Sequence, residues 1–192
     1  AFEGYRGSVD KTLEAPFAPE GLEFVRGFVN TLDVEAGTDA LATPAGWQEW
    51  ATSRGQGGGV TAGELEKLRQ LREVIRRQLL AHHDRSVAPD DVAVGEMQRL
   101  LEWSGAVPRL QASGLELEPV GYGGRRCAGA VLGAVARAMA DGTWRRLKAC
   151  RSDACQWAFY DHSRSRTGQW CSMGICGNRA KQSRWRDRHR KS

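Results

Sequence analysis

The sequence predicts an α+β protein: a mainly helical N-terminal domain over residues 1–140, then a small cysteine-rich domain over 144–192. Three observations carry that expectation. Before residue 140, apolar residues recur at helical spacing in several separate stretches. Four of the five cysteines form two pairs, Cys150-x4-Cys155 and Cys171-x4-Cys176. Charge divides at the same place: residues 141–192 hold 13 Lys/Arg against 4 Asp/Glu, and residues 1–140 hold 15 against 19.

The first helix is expected over Glu20 to Val34, with Leu22, Val25, Val29 and Leu32 on one face. A turn-rich stretch follows, ending in Trp47 and Trp50. The glycine cluster from Gly55 to Gly59 reads as a loop. Thr61 and Glu64 form a capping box, each able to satisfy the other's exposed amide, so a helix opens there and runs to about Ala81. Leu68, Leu71, Ile75 and Leu79 line its buried face, and Arg72, Arg76 and Arg77 are expected elsewhere. Pro89-Asp90-Asp91 starts another helix, Val92 to about Ala106, because Pro108 disfavours helix at Val107. Leu115-Glu116-Leu117-Glu118 alternates and predicts one short strand. Ala128 to Ala140 is an apolar helix closed by Asp141-Gly142.

A hydrophobic fraction of 41% and seven tryptophans are enough for a core. No apolar run approaches the roughly 20 residues that span a bilayer. The first residues are mixed and polar, with no secretory leader visible. Five cysteines is an odd count, unlike a disulfide-built secreted domain, and a reducing cytoplasmic compartment is expected. Cys127, alone at the head of an apolar segment, reads as a small buried residue.

Four soft thiolates, two per tight turn, match the ligand number of a structural zinc site. Fifteen residues separate the pairs. Among them Trp157-Ala158-Phe159-Tyr160 has strand chemistry, Ser163 to Gly168 has turn chemistry, and Trp170 leads into the third cysteine. A knuckle, a hairpin and a last ligand at the head of a helix together make a treble-clef finger. Four buried cysteines without metal, or a redox or Fe–S role, are the alternatives. An all-thiolate site is closed, so it would hold structure and offer no place for a catalytic water. Zinc binding can supply folding free energy on the order of 10 kcal/mol to a segment too short and charged to fold alone. Loss of one cysteine is therefore expected to unfold residues 144–192 and spare the helical domain.

Arg146-Leu147-Lys148-Ala149-Cys150, Trp157-Ala158-Phe159-Tyr160-Asp161 and the run from Trp170 through Cys176-Gly177-Asn178-Arg179 to Lys181 resemble the CGNR zinc finger. The resemblance covers roughly residues 144–188 and implies Cys150, Cys155, Cys171 and Cys176 as zinc ligands. Such fingers follow a helical domain called ABATE, and Phe28-Val29-Asn30-Thr31-Leu32 with Trp47 and Trp50 resembles its start. That family is described as stress-linked transcription regulators, so the resemblance implies duplex DNA as partner.

Asn178 reads as a helix N-cap. In the helix it would open, Lys181, Arg184, Arg188 and Lys191 make one basic stripe, with Arg179, Arg186 and Arg190 on a second face and Trp185 between them. Such density suits phosphate and does not itself identify bases. A solvated basic tail is the plainer alternative, and Arg179 could instead neutralise the thiolate cluster. A zinc-stabilised RNA-binding or protein-interaction module is the runner-up function. Asp161-His162 followed by Cys171-x4-Cys176-Gly177-Asn178-x2-Lys181 is similar to an HNH nuclease arrangement, but the segment from His162 to Asn178 is too short for it and the only later histidine, His189, sits in the basic tail; no other catalytic signature is visible, and an enzyme is not expected. His82-His83 reads as a cationic cap at a helix end. An acidic helical body of this size implies sensing or homodimerisation. Asn30 and Thr31 either satisfy backbone at a helix end or point into a pocket for a small-molecule effector.

Overall fold

The computed structural model describes residues 17–84, 90–112 and 114–190. Of the features read from the sequence, Pro89 and Lys191 lie outside the described residues. Helix α1, Glu20–Val29, buries Leu22, Val25, Phe28 and Val29. It stops five residues short of the expected end. The Thr31 hydroxyl donates to Phe28 O at 2.8 Å, and the Asn30 amide is drawn away to the finger. Leu32 instead joins strand β1, Leu32–Asp33, which pairs antiparallel with β2, Thr38–Asp39. The Asp33 carboxylate shapes their turn by accepting from the amides of Glu35 and Ala36.

The stretch read as turn-rich is helix α2, Pro44–Ser53. Its start was written in Thr43-Pro44: the Thr43 hydroxyl accepts from Gly46 N at 3.1 Å, and proline fits the first helical turn. Trp47 is wholly buried, and its indole Nε1 donates to Gly58 O at 3.0 Å, so the glycine loop closes over it. A Cβ on Gly123 would lie 2.2 Å from Gly59 O, which is why the chain needs glycine there.

Helix α3, Ala62–Ala81, carries the expected capping box in both directions. Its buried face holds Leu65, Leu68, Leu71, Ile75 and Leu79, and also Arg72 and Arg76, at 3% and 2% exposure. Both arginines had been expected off that face. Arg72 reaches the Asp39 carboxylate at 2.6 and 2.9 Å and the Thr31 hydroxyl at 3.2 Å. Helix α4, Asp91–Ser104, is capped by Asp90 and ends at Gly105 in the left-handed region. The single expected strand is a hairpin: β3, Val107–Gln111, pairs with β4, Gly114–Glu118. Pro108 is tolerated in a two-stranded sheet because its missing N–H can face the open edge. Helix α5, Gly123–Ala140, begins five residues before the expected start and buries Cys127, Val131, Leu132 and Val135.

A 3-10 turn, Trp144–Arg146, leads into β5, Leu147–Ala149, which pairs antiparallel with β6, Ala158–Tyr160. Packing does not break at residues 140–144. Trp144, Leu147, Ala149 and Ala158 belong to the same core as α1, α3 and α5. A second, smaller cluster forms around the cysteines, with Trp157, Trp170 and Ile175.

His82 and His83, at the end of α3, serve this junction. His82 Nδ1 donates to Leu147 O and His83 Nε2 to Ala149 O, both at 2.7 Å. His82 lies edge-on to Trp144, with ring centroids 5.1 Å apart. Neither is a cationic cap. Burial favours the neutral ring and lowers the His82 pKa to about 4, with Arg145 adding to the effect against the Leu147 hydrogen bond. The unfolded chain therefore takes up a proton near pH 6.5 that the folded chain refuses until about pH 4. Stability falls as pH drops through that window, by about 2 kcal/mol between pH 7 and pH 5. His82→Gln should remove most of this slope in urea titrations at the two pH values. An unchanged slope would mean that His82 does not carry it.

Candidate metal centre and basic helix

Strand β5 delivers Cys150 to the knuckle, where its amide donates to Trp157 O at 2.9 Å. The chain then turns tightly: Cys155 N and Gln156 N both donate to Ser152 O, and Gln156 takes a left-handed φ of 51°. That turn brings the Cys155 thiol back beside Cys150. The second pair uses a wider turn, Met173–Gly177, in which Gly177 N donates to Ser172 O and the Ser172 hydroxyl accepts from Ile175 N. Helix α6, Asn178–His189, continues directly from it. Asn178 is thus not an N-cap. It has helical backbone angles, and its amide Nδ2 donates to Gly174 O at 3.0 Å.

The four Sγ atoms all lie within 4.8 Å of one another. Cys155 and Cys171 are 3.6 Å apart, and Cys171 and Cys176 are 3.8 Å apart. A tetrahedron with metal–sulfur distances of about 2.3 Å has edges of about 3.8 Å, so the spacing fits zinc. The donor chemistry fits as well. Hydrogen bonding with Cys155 and Cys171 favours the Cys150 thiolate and lowers its pKa strongly. Hydrogen bonding to that thiolate pushes Cys171 strongly up. Burial, then the neighbouring thiolates, push Cys176 up to about 12. Only a cation lets four such neighbours ionise together. Cys150, Cys155 and Cys176 are buried and Cys171 is half-buried. Cys127 is buried far up the chain in α5 and stands outside the cluster.

Beside the cluster, the Lys148 ammonium donates to the Asp161 carboxylate at 2.7 Å, to Arg166 O at 2.8 Å and to Gly168 O at 3.2 Å. Asp161 also accepts from Ser163 and from Gly168 N. Burial alone would raise its pKa, but these donors lower it to about 2. The carboxylate is therefore occupied in tying the Ser163–Gly168 turn to β5. Its neighbour His162 lies exposed, with Nε2 on Phe17 O and its ring against Tyr160. The Asp-His pair is not arranged to bind a metal together, which counts against the nuclease-like arrangement.

Two further side chains join the helical part to the finger. Arg76 donates to Gln156 O and to Val29 O, both at 2.8 Å. The Asn30 amide grips the backbone of Ala158, accepting from its N at 2.7 Å and donating to its O at 3.0 Å. Asn30 and Thr31 do border an open depression of about 570 Å3, together with Trp50 and Trp157. Their hydrogen bonds nevertheless run to Ala158, Phe28 and Arg72. Sequence reasoning missed Arg72, Arg76, His82, His83 and Lys148. The available signal was position: Arg72 and Arg76 stand four and eight residues after Leu68, on the apolar stripe itself.

Helix α6 buries no residue, and every position from Lys181 to Arg190 is exposed. Arg179 pairs with Glu35 in the β1–β2 turn at 2.7 Å, which anchors the helix start to the body. Lys181, Arg184, Arg186 and Arg188 stand out in solvent. No described helix is long and apolar enough to cross a membrane.

With this geometry in place, two family models match. Residues 24–142, more than half the chain, match ABATE, described as "Putative stress-induced transcription regulator". Residues 146–189 match the CGNR zinc finger. No curated protein matches the chain.

Proposed function

The chain belongs to the ABATE family and carries a CGNR zinc finger behind that domain, and on that premise we propose that it is a zinc-dependent DNA-binding protein acting in transcriptional control. Neither family is described as an enzyme. One observation carries the reading. The turn that holds the last cysteine runs straight into a helix that buries no residue and bears five Lys/Arg from Arg179 to Arg188. In this reading Cys150, Cys155, Cys171 and Cys176 hold one zinc, which supplies rigidity, and Arg179, Lys181, Arg184, Arg186 and Arg188 supply phosphate contacts. Arg179 must exchange Glu35 for phosphate, so it is the contact most sensitive to the body.

The helical part is the place for effector sensing or homodimerisation. Asn30, Arg76, His82 and His83 all bond to finger backbone, which supports a body that sets the finger's position. A metabolite that binds the folded state would raise stability by about 2.7 kcal/mol at a hundredfold excess over its Kd, readable by thermal shift on the full chain.

The DNA reading is tested by titrating the zinc-loaded full chain against duplex DNA, RNA and heparin at several salt concentrations. Five phosphate contacts predict a slope of about −4 to −5 in log K against log salt on duplex DNA. Chelating the zinc should abolish that binding. Equal affinity for heparin, or binding that survives chelation, would reduce the helix to an unspecific basic tail.

A further inference from the structure

The arrangement of charge around α6 goes further, resting on the DNA reading. At 3.6 residues per turn, Arg179, Arg186 and Arg190 fall within about 40° of one another. Lys181, Arg184 and Arg188 fall within about 60°. The two groups are centred about 170° apart, on opposite sides of the helix. The flanks between them differ in kind. One carries Gln182, Trp185 and His189, and the other carries Ala180, Ser183 and Asp187. On the first flank the Trp185 and His189 rings stack with centroids 4.2 Å apart, and His189 Nδ1 donates to Trp185 O at 2.8 Å. That bond holds the His189 ring over the Trp185 turn of the helix, where it meets the indole. On the second flank lies the one acid of the helix, Asp187, 3.6 Å from Arg190.

A helix lying on a flat polyanion needs cations on one side only. Cations on two opposite sides suit a slot with two negative walls. The major groove of B-DNA is such a slot. It is about 12 Å wide between phosphate backbones, and a helix with its side chains is about 10–12 Å across. The exposure of every residue from Lys181 to Arg190 leaves both sides open to those walls. Asp187 decides which flank faces inward, because a carboxylate is disfavoured among phosphates and base acceptors and belongs on the solvent side.

We infer that α6 enters the major groove of duplex DNA with Gln182, Trp185 and His189 toward the base edges and its two cationic stripes against the two phosphate walls. A glutamine amide there pairs bidentately with adenine, and an apolar ring face meets a thymine methyl. Phosphate contacts set the register, and this flank reads the sequence. A-form RNA is excluded by its deep, narrow major groove.

The test begins by selecting bound duplexes from a random pool with the zinc-loaded full chain, then measuring affinity by fluorescence anisotropy across salt. Two charge variants are compared, Arg186→Gln with Arg190→Gln, and Lys181→Gln with Arg184→Gln and Arg188→Gln. Glutamine keeps helix propensity, and circular dichroism verifies folding. Both should flatten the salt slope, by about one to two and about two to three units respectively, with Arg190 joining the five contacts named above. Gln182→Ala should relax the selected preference at one position about tenfold or more. Ser183→Ala, on the outward flank, should leave the preference intact. The orientation is overturned if either charge variant keeps the parent's slope, if Ser183→Ala changes the preference while Gln182→Ala does not, or if RNA duplex or single strands bind as tightly. Those outcomes leave DNA binding itself standing. A parent that binds no duplex even at about 50 mM salt overturns the DNA reading and this orientation together.

Discussion

Cys176→Ser is expected to lose the metal and to melt the whole chain early, rather than the finger alone. Apparent zinc-binding free energies reach about 10–16 kcal/mol for four-ligand fingers, which equals or exceeds the total stability of most domains. Removing one thiolate opens the tetrahedron and leaves the others crowded without their cation. The damage spreads because Trp144, Leu147, Ala149 and Ala158 belong to the core built by α1, α3 and α5. Asn30, Arg76, His82 and His83 would then lose backbone partners in the finger. A loss of about 5 kcal/mol passed to the body would lower Tm by about 10–20 °C for a chain of this size. Metal analysis should find one zinc in the parent and none in the variant. The expectation fails if Cys176→Ser keeps its zinc, or if the helical signal melts where the parent's does.

Asp161→Ala should cost about 3–5 kcal/mol, the range for breaking one half of a buried ion pair. Both partners are nearly fully buried, with side chains 2% and 3% exposed. The substitution leaves the Lys148 ammonium with only the carbonyls of Arg166 and Gly168, and leaves the amides of Ser163 and Gly168 without their acceptor. Lys148→Met with Asp161→Ala should lose less than the sum of the two single changes, because no buried charge remains. Denaturant titration of the four proteins measures that coupling. A single-site cost below about 1 kcal/mol would show that water reaches the pair.

Both predictions concern residues of different legibility. The cysteines could be read because each pair closes within one short turn, so spacing alone puts two sulfurs at one point. The capping box at Thr61 and Glu64 was readable for the same reason, as was the Asp90 start of α4. The helix at Pro44 was equally local, written in Thr43-Pro44, yet tryptophans and nearby turn residues hid it. The hairpin partner of β4 was obscured by Pro108, since a proline argues against a strand unless the strand is known to lie at an edge. The end of α1 could not be placed, because Asn30 turns to Ala158, 128 residues later.

What the sequence determined by itself is therefore what adjacent residues can settle: two knuckles, four of the helices, the charge split between body and finger, and the periodic stripes of α6. The tertiary structure alone decided the fate of the polar groups that read as surface. Arg72 and Arg76 are buried because Asp39, Val29 and Gln156 wait for them across the fold. His82 is neutral because the core buries it, and it donates there to Leu147 O. The sequence boundary at residues 140–144 divides family matches but no packing. The reason is physical. An unpaired charge is expelled from a core and a paired one can be kept, and the partner's position is a property of the folded chain.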